Sequence, residues 1–212
     1  MHITASAPTR LDLAGGTLDI WPLYLNHDNA QTINVAISLR ASCSITERRD
    51  NYSVLKSEDT GRFIKVKEWA DLQNIPDFLL AARALQFFDV KGVDLTTRSD
   101  SPLGAGIAGS SALIVAVCAA LNAWTEAKRT PEELLTIAMN LEAKVIKVPT
   151  GAQDYRPAFY GGISAIELRV DGVKRIALDV PTEELERRIV LAYTGRSRQS
   201  GINNWDIVKQ HI

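Results

Sequence analysis

The first third of the chain alternates apolar and polar residues with a period of two. Short runs of this kind, separated by turn-forming residues, are typical of half-buried β-strands. A cluster of serine, threonine, acidic residues and glycine at 57–61 marks a turn between two of the runs. The pattern predicts strands over residues 2–7, 10–13, 32–39, 42–47, 52–55 and 63–66.

The middle of the chain changes to helical spacing. Residues 110–124 are apolar almost all round, which is typical of a buried helix. The segment 130–145 opens as a helix does, because Thr130 can serve as the N-cap and Pro131 suits the first helical position. Glu133 completes a capping box with the threonine. Two consecutive helices are therefore predicted here.

The remaining segments extend the mixture of strands and helices. Residues 170–173 have the composition of a hairpin turn. The same patterns predict a helix over 76–88, strands over 92–98, 162–168 and 189–193, and an amphipathic segment from Trp205 onward. This arrangement is typical of the α+β class.

The composition is that of an ordinary soluble globular chain. Of the 212 residues, 46% are hydrophobic and 23% are charged, which is enough apolar material for one sizeable core. The net charge of −1 provides no basic field that would attract a nucleic acid or an acidic membrane. The longest apolar run, 112–124, is too short to span a bilayer, and the first residues lack a signal-peptide pattern. A cytoplasmic location is therefore expected.

Cysteine and histidine chemistry has little support. Cys43 and Cys118 are the two cysteines, and the second lies inside an apolar run, so no disulfide framework is indicated. The three histidines lie far apart in the sequence. A zinc site is therefore not expected.

The stretch SPLGAGIAGSSALIVAV, residues 101–117, carries the strongest candidate chemistry. A P-loop is one interpretation, because Gly104 and Gly109 have its spacing, but Ser110 occupies the lysine position of that motif. A dinucleotide-binding unit is another, because Gly104, Gly106 and Gly109 stand in the required order. That unit needs a strand after its helix, whereas the sequence predicts a loop and a second helix. Both interpretations are therefore disfavoured.

A third interpretation needs only local physical chemistry. A glycine-rich turn that opens onto a helix presents backbone N–H groups and the positive end of the helix dipole, and both bind phosphate oxygens. Ser110 and Ser111 lie in the first helical turn and could ligate Mg²⁺ or a phosphate oxygen. The alternative is a tight turn that only lets the helix pack closely against a sheet.

One carboxylate stands at an unusual position on the 130–145 helix. At about 100° per residue, Glu142 falls at the edge of the apolar stripe, so its side chain is expected to be partly buried. A buried carboxylate needs a partner. A bound cation is one candidate, and pairing with Lys144 or Lys147 is the alternative.

The stretch 102–112 resembles the second motif of the GHMP kinases, the family of galactokinase, homoserine kinase, mevalonate kinase and phosphomevalonate kinase. Ile107 and Ala108 replace a leucine and a glycine of the family pattern. The resemblance implies that the loop covers nucleotide phosphates and that a loop serine and a helix glutamate hold Mg²⁺. The implied nucleotide-binding residues are Pro102, Gly104, Ala105, Gly106, Ile107, Ala108, Gly109, Ser110 and Ser111, and the implied metal ligands are Ser110 and Glu142.

The stretch 7–19 resembles the N-terminal motif of the same family. The interval from Arg10 to Asp19 matches, while Gly-Thr-Leu stands where galactokinases carry Glu-His-Thr, and the Ala-Gly-Gly form is similar to heptose-type kinases. The resemblance implies that Asp19 binds sugar hydroxyls and that Arg10 lies near the catalytic carboxylate. A surface turn built on two glycines is the alternative. The implied substrate-binding residues of this stretch are Gly15, Gly16, Thr17 and Asp19.

The stretch 149–155, followed by two glycines at 161–162, resembles the Gly-x-Gln-Asp-Gln…Gly-Gly segment of the sugar-kinase branch. The resemblance implies that Asp154 is the catalytic aspartate that accepts the proton of the attacking hydroxyl. Tyr155 stands where the family pattern has glutamine. Without the resemblance, Asp154 would be interpreted as a loop residue, since aspartate is common in turns.

A further loop, 194–198, contains two arginines. The guanidinium fork suits phosphate recognition, so Arg196 is a candidate for holding the phosphate of a phosphorylated sugar. A solvated loop charge is the alternative, and the sequence favours neither.

The resemblance implies an ATP-dependent kinase, with ATP and Mg²⁺ as cofactors, that phosphorylates a hydroxyl of a sugar or sugar phosphate. Residues 1–185 would form the ATP-binding domain, with a fold like the second domain of ribosomal protein S5. Residues 186–212 would begin a ferredoxin-like domain that is mostly missing. No stretch matches the family's third motif, so an inactive sugar- or nucleotide-binding relic is the alternative, and a nicotinamide-binding oxidoreductase is a less favoured one. No nucleic-acid or membrane partner is expected, and a homodimer is a possible assembly.

Overall fold

A computed structural model describes residues 1–68, 71, 75–190, 192, 194–195 and 204–211. The strands are β1 (His2–Ala14), β2 (Gln31–Glu47), β3 (Ser53–Ser57), β4 (Arg62–Val66), β5 (Val93–Ser99), β6 (Ile163–Arg169) and β7 (Gly172–Ala177). The helices are α1 (Leu79–Phe87), α2 (Gly109–Trp124), α3 (Pro131–Ile146), α4 (Tyr155–Tyr160), α5 (Thr182–Glu186) and α6 (Asn204–His211). The α+β class is confirmed.

Within the described residues, the strands form one seven-stranded sheet. The long strand β2 pairs antiparallel with β1 along most of its length, with β5 over residues 41–47, and with β6 over residues 31–35. Strand β3 lies parallel to β5 and antiparallel to β4, and β7 pairs antiparallel with β6. The first half of β2 therefore brings the end of β1 close to the start of β6.

The prediction of two strands around Pro8 was wrong, because β1 is continuous from residue 2 to residue 14. Pro8 lies opposite Arg40, and the register against β2 shifts between Pro8 and Arg10. A register irregularity tolerates a residue that has no N–H to donate to the ladder. The proline therefore marks a bulge in the strand and not its end.

The prediction of two strands at 32–39 and 42–47 was also wrong, because both segments belong to β2. Ala41 in the supposed gap is paired with Ala7 of β1 and with Ser99 of β5. The local sequence contains no glycine, proline or asparagine that would end a strand there. Pairing with neighbours on both sides keeps the segment extended.

The two predicted central helices are confirmed to within one residue as α2 and α3. The predicted capping box is present at the start of α3: the Thr130 N–H donates to Glu133 Oε2 at 2.7 Å, and the Glu133 N–H donates to Thr130 Oγ1 at 3.4 Å. A cap of this kind stabilises a helix by about 1 kcal/mol. The predicted helix at 76–88 is a 3₁₀ turn, Pro76–Phe78, that continues into α1.

The main core lies between one face of the sheet and helices α1 to α4. The sheet contributes buried side chains such as Ala7, Ile45 and Leu95, and α2 is buried along almost all of its length. Cys43 and Cys118 are free, buried thiols in this core. Because α2 packs against β1 and β2, the start of α2 is held beside the strand that carries Arg10.

The end of the chain departs in part from the prediction. The predicted strand at 189–193 is wrong for Ile189, Val190 and Ala192, which lie outside any strand, and its other two residues lie outside the described ranges. The amphipathic segment from Trp205 is confirmed as α6. Among the helices of the described ranges, none is both long and apolar enough to cross a membrane.

Candidate active site

Arg10 joins the glycine-rich loop to the loop that carries Asp154. Arg10 lies on β1 and is 7% exposed, and its Nε and Nη2 donate to Asp154 Oδ1 at 3.1 and 2.6 Å. Its Nη1 donates to the carbonyl oxygen of Gly106 at 2.9 Å, and its backbone N–H donates to the carbonyl oxygen of Ile107 at 3.1 Å. Arg10 therefore fixes the position of the glycine loop relative to Asp154.

The glycine loop has the backbone geometry that its sequence requires. Gly104 and Gly106 have φ angles of 70° and 79°, in the left-handed region where a side chain is unfavourable. Ala108 has a φ of 57° at the N-cap of α2, the position where the family pattern has glycine, and no side chain caps this helix. The first N–H groups of α2 therefore have no side-chain acceptor, which suits an anionic ligand.

The segment that follows the loop excludes a dinucleotide-binding unit. Strand β5 leads through the loop into α2, and α2 is followed directly by α3 rather than by a parallel strand. A βαβ unit therefore does not form around this loop.

Glu142 lies on α3 with its carboxylate directed at hydroxyl groups. Only 4% of the residue is exposed, and Oε1 accepts a hydrogen bond from Ser110 Oγ at 2.5 Å while Oε2 accepts one from the Tyr155 hydroxyl at 2.8 Å. Burial raises the pKa of Glu142, and the hydroxyls of Ser110, Tyr155 and Ser111 partly offset that increase. Lys144 and Lys147, the alternative partners considered above, are exposed.

The residues around Glu142 fit Mg²⁺ as a bound ion. In the described part of the chain, no three His, Cys, Asp or Glu side chains group closely enough to hold a metal by themselves. Mg²⁺ is commonly held by one or two protein oxygens and completes its octahedron with phosphate and water oxygens. Glu142 Oε1 and Ser110 Oγ are two such oxygens, side by side at the start of the helix beyond the glycine loop.

Asp19 is held against the loop that precedes Asp154. Asp19 ends the 3₁₀ turn Gly16–Asp19 and is 3% exposed, and its Oδ2 accepts a hydrogen bond from the Gln153 N–H at 2.8 Å. Gln153 Nε2 donates to the carbonyl oxygen of Gly16 at 2.9 Å, and Ile20 forms a bridge with Gly151. A Cβ at Gly151 would overlap the Asp19 carboxylate, so only glycine allows this approach.

Three carboxylates influence the charge of Arg10: Asp12 and Asp154 pair with it, and Asp19 acts on it electrostatically. Asp12 Oδ1 pairs with Arg10 Nε at 2.9 Å, on the same guanidinium that binds Asp154. Burial raises the pKa of Asp12 to about 6, although Arg10 lowers it, and burial together with the nearby Asp154 raises the pKa of Asp19 to about 7. Burial lowers the pKa of Arg10, but these carboxylates raise it by more, so the net direction is upward.

The elevated pKa of Asp19 predicts a pH-dependent stability. The folded protein keeps a proton on Asp19 that the unfolded chain releases above its ordinary value of 3.8, so stability falls as the pH rises from about 4 to about 7. Asp19→Asn is expected to flatten this decrease and to be more stable than wild type near pH 8 by on the order of 1 to 4 kcal/mol. Denaturant unfolding at several pH values measures the difference.

Asp12 also makes the stability fall as the pH rises, by a smaller amount, because its pKa is raised too. The Asp19→Asn variant is therefore expected to keep part of the pH dependence of stability. Parallel stability curves for wild type and Asp19→Asn would show that Asp19 is charged in the folded protein across this range.

The structure brings most of the predicted site residues together. Of the others, Gly15 has a φ of 93° at the start of the Asp19 turn, Thr17 is exposed on that turn, and Arg196 lies outside the described residues.

Three residues of the site were given no role in the sequence analysis: Asp12, Gln153 and Tyr155. Each stands inside a stretch that resembles a family motif, and that position was the available signal.

Part of the chain matches a known protein family. Residues 77–162 match the sequence profile described as the GHMP kinases N terminal domain, a segment that includes the glycine loop, Glu142 and Asp154. Over these residues the chain is similar to the GHMP kinases. Arg10 and Asp19 lie before the matched segment and join it through the contacts described above.

Two kinases of sugars or sugar phosphates are among the proteins that this chain resembles. The D-glycero-alpha-D-manno-heptose 7-phosphate kinase of Campylobacter jejuni is 30% identical over 210 residues, which are 93% of this chain and 61% of that protein. The bifunctional fucokinase/GDP-fucose pyrophosphorylase of Arabidopsis thaliana is 25% identical over 90% of this chain and 20% of that protein. The chain thus spans less than two thirds of the length of these relatives.

A solved structure shares the fold. The crystal structure of a D-glycero-D-manno-heptose 1-phosphate kinase from Bacteroides thetaiotaomicron superposes with a TM-score of 0.77 at 24% identity, covering 88% of this chain and 62% of that one. This likeness confirms the architecture of the sheet and its helices.

Proposed function

We propose that this chain takes part in the ATP-dependent phosphorylation of a hydroxyl group on a sugar or sugar phosphate. The observation that carries the proposal is the double contact of Arg10, which bonds to Asp154 and to the carbonyl oxygen of Gly106. A kinase needs the acceptor hydroxyl and the nucleotide phosphates held side by side, and it contributes mainly positioning and charge stabilisation. One buried guanidinium that fixes the two loops relative to each other supports that role.

The glycine loop is the proposed phosphate site. Its left-handed glycines and the uncapped start of α2 would direct backbone N–H groups at phosphate oxygens. Ser110 and Glu142 would hold Mg²⁺, which neutralises charge on the β- and γ-phosphate oxygens when it is bound. The proposed nucleotide contacts are Pro102, Gly104, Ala105, Gly106, Ile107, Ala108, Gly109, Ser110 and Ser111.

Asp154 is the proposed general base. Its carboxylate would accept the proton of the acceptor hydroxyl while that oxygen attacks the γ-phosphorus and ADP departs. Its side chain is 26% exposed, so an acceptor can reach it, and Oδ1 is held by Arg10. The proposed sugar contacts are Asp19, Gly15, Gly16 and Thr17, with Arg196 proposed for a phosphate on the sugar.

The names of the relatives support a proposal for the acceptor class. Their names specify a heptose 7-phosphate kinase and a fucokinase, so we propose a heptose, a related sugar or one of their phosphates as the substrate. We retain the proposed division into an ATP-binding domain at 1–185 and the start of a second domain at 186–212. A cytoplasmic location and a homodimer also stand as proposals.

Calorimetry of nucleotide binding tests this function. The proposal predicts that ATP binds in the presence of Mg²⁺, that EDTA weakens the binding, and that NAD produces no heat. Binding of NAD without binding of ATP would refute the kinase assignment and would favour a nicotinamide-dependent oxidoreductase.

A further inference from the structure

The hydroxyl of Tyr155 fixes the carboxylate of Glu142. Tyr155 is 1% exposed, and its hydroxyl donates to Glu142 Oε2 at 2.8 Å. The other carboxylate oxygen, Oε1, accepts a hydrogen bond from Ser110 at 2.5 Å. Each oxygen therefore has its own hydroxyl donor, and the two bonds together define the orientation of the carboxylate plane.

The fold places Tyr155 there for two reasons. It is the first residue of α4, a helix that packs against α2 and α3, so its ring belongs to the main core between those helices. A buried phenol needs a polar partner for its hydroxyl, and Glu142 is the carboxylate within reach. Tyr155 also follows Asp154 directly in the chain, so two adjacent residues face the proposed acceptor side and the proposed metal side of the site.

This contact depends on a residue that departs from the family pattern. Glutamine stands after the aspartate in the motif that residues 149–155 resemble, whereas this chain has tyrosine. The rigid ring of Tyr155 reaches from the start of α4 to the carboxylate on α3. The hydroxyl bond is thus a feature of this chain that the resemblance does not supply.

We propose that Tyr155 is a positioning residue that holds Glu142 in the orientation in which Oε1, beside Ser110, binds a divalent cation. This inference rests on the proposed function. Partners of ligating carboxylates typically change metal affinity about 10- to 100-fold when they are removed. Without the tyrosine hydroxyl, Glu142 Oε2 loses this donor, and the serine hydroxyls that remain hold the orientation of the carboxylate less firmly.

The test is the Mg²⁺ dependence of ATP binding in Tyr155→Phe. Calorimetric titration of Mg²⁺ into protein with ATP is expected to show a half-saturating Mg²⁺ concentration about 10- to 100-fold above that of wild type. ATP binding in EDTA is expected to be unchanged, because the glycine loop is untouched. A merely structural role for Tyr155 would weaken both kinds of binding equally and would overturn the inference.

Tyr160→Phe is the matched control. Tyr160 lies on the same helix, and its hydroxyl also bonds to a glutamate, Glu132 at 3.1 Å, but that glutamate is no proposed ligand. This variant is expected to keep the wild-type Mg²⁺ dependence. If Tyr155→Phe matches wild type while wild type binds Mg²⁺ and ATP, the inference fails alone. If wild type shows no Mg²⁺-dependent ATP binding, the proposed function fails and the inference fails with it.

Discussion

Asparagine in place of Asp154 is expected to lower the rate of phosphoryl transfer by about 10²- to 10⁴-fold, because the amide cannot accept the proton of the attacking hydroxyl. The amide oxygen can still accept the hydrogen bonds of Arg10, so the two loops should keep their arrangement. Affinity for Mg·ATP is therefore expected to stay within about a factor of three of wild type, since the change leaves the phosphate site intact. Steady-state turnover and calorimetry on the same preparation measure the two quantities.

Asp94→Asn provides a matched control for that change. Asp94 pairs with Arg48 at 2.6 Å, the same separation as between Asp154 and Arg10, but it lies on β5 in a surface ion-pair network. The Asp94→Asn protein is expected to transfer phosphate at the wild-type rate. If Asp154→Asn also kept the wild-type rate, Asp154 would not be the general base.

Glu142→Gln is expected to weaken Mg²⁺-dependent ATP binding by at least about 100-fold, since it removes the charged ligand itself rather than a residue that orients it. The same variant should be at least as stable as wild type near neutral pH. Burial raises the pKa of Glu142, so its charged form is disfavoured in the fold, and wild type loses stability as the pH rises through that pKa. The neutral amide avoids this loss. Thermal unfolding measures the unchanged or higher stability, and calorimetry measures the weakened Mg²⁺-dependent ATP binding.

If Glu142→Gln instead destabilised the fold, both the ATP binding and the melting temperature would change in a different way. A destabilised protein would lose ATP binding with and without Mg²⁺, together with a lower melting temperature. An exposed glutamate, Glu186 on α5, provides the control substitution to glutamine, which should change neither property. Mg²⁺-dependent binding that survives in Glu142→Gln would remove Glu142 from the proposed metal site.

Local signals were sufficient to predict α2 and α3. The apolar composition of α2 and the capping box of α3 operate within a few residues, and both helices were located to within one residue. The lengths of the strands were less predictable. Pro8 and Ala41, near which predicted strands ended, remain inside strands because they pair with residues more than 30 positions away. The short helix α4 contains Pro157 and aromatic residues, so its sequence has little helical signal, and packing on α2 and α3 supports it.

The contacts of the candidate site could not be derived from spacing. Arg10 and Asp154 are 144 positions apart, and Ser110 and Glu142 are 32 apart, so only the resemblance suggested that they meet. The edge position of Glu142 on its helix did indicate burial from the sequence alone, and the structure buries it. The role of Asp12 depends on the side-chain direction of Arg10, which the sequence does not determine.

Detection of a phosphorylated sugar is the decisive test of the proposed kinase activity. The protein is incubated with ATP, Mg²⁺ and a panel of heptoses, fucose and their phosphates, and the products are identified by mass spectrometry. We expect a phosphorylated product that requires both the sugar and Mg²⁺ and that is lost in Asp154→Asn. Absence of any such product from protein that binds Mg·ATP, or its undiminished formation by Asp154→Asn, would contradict the proposed activity.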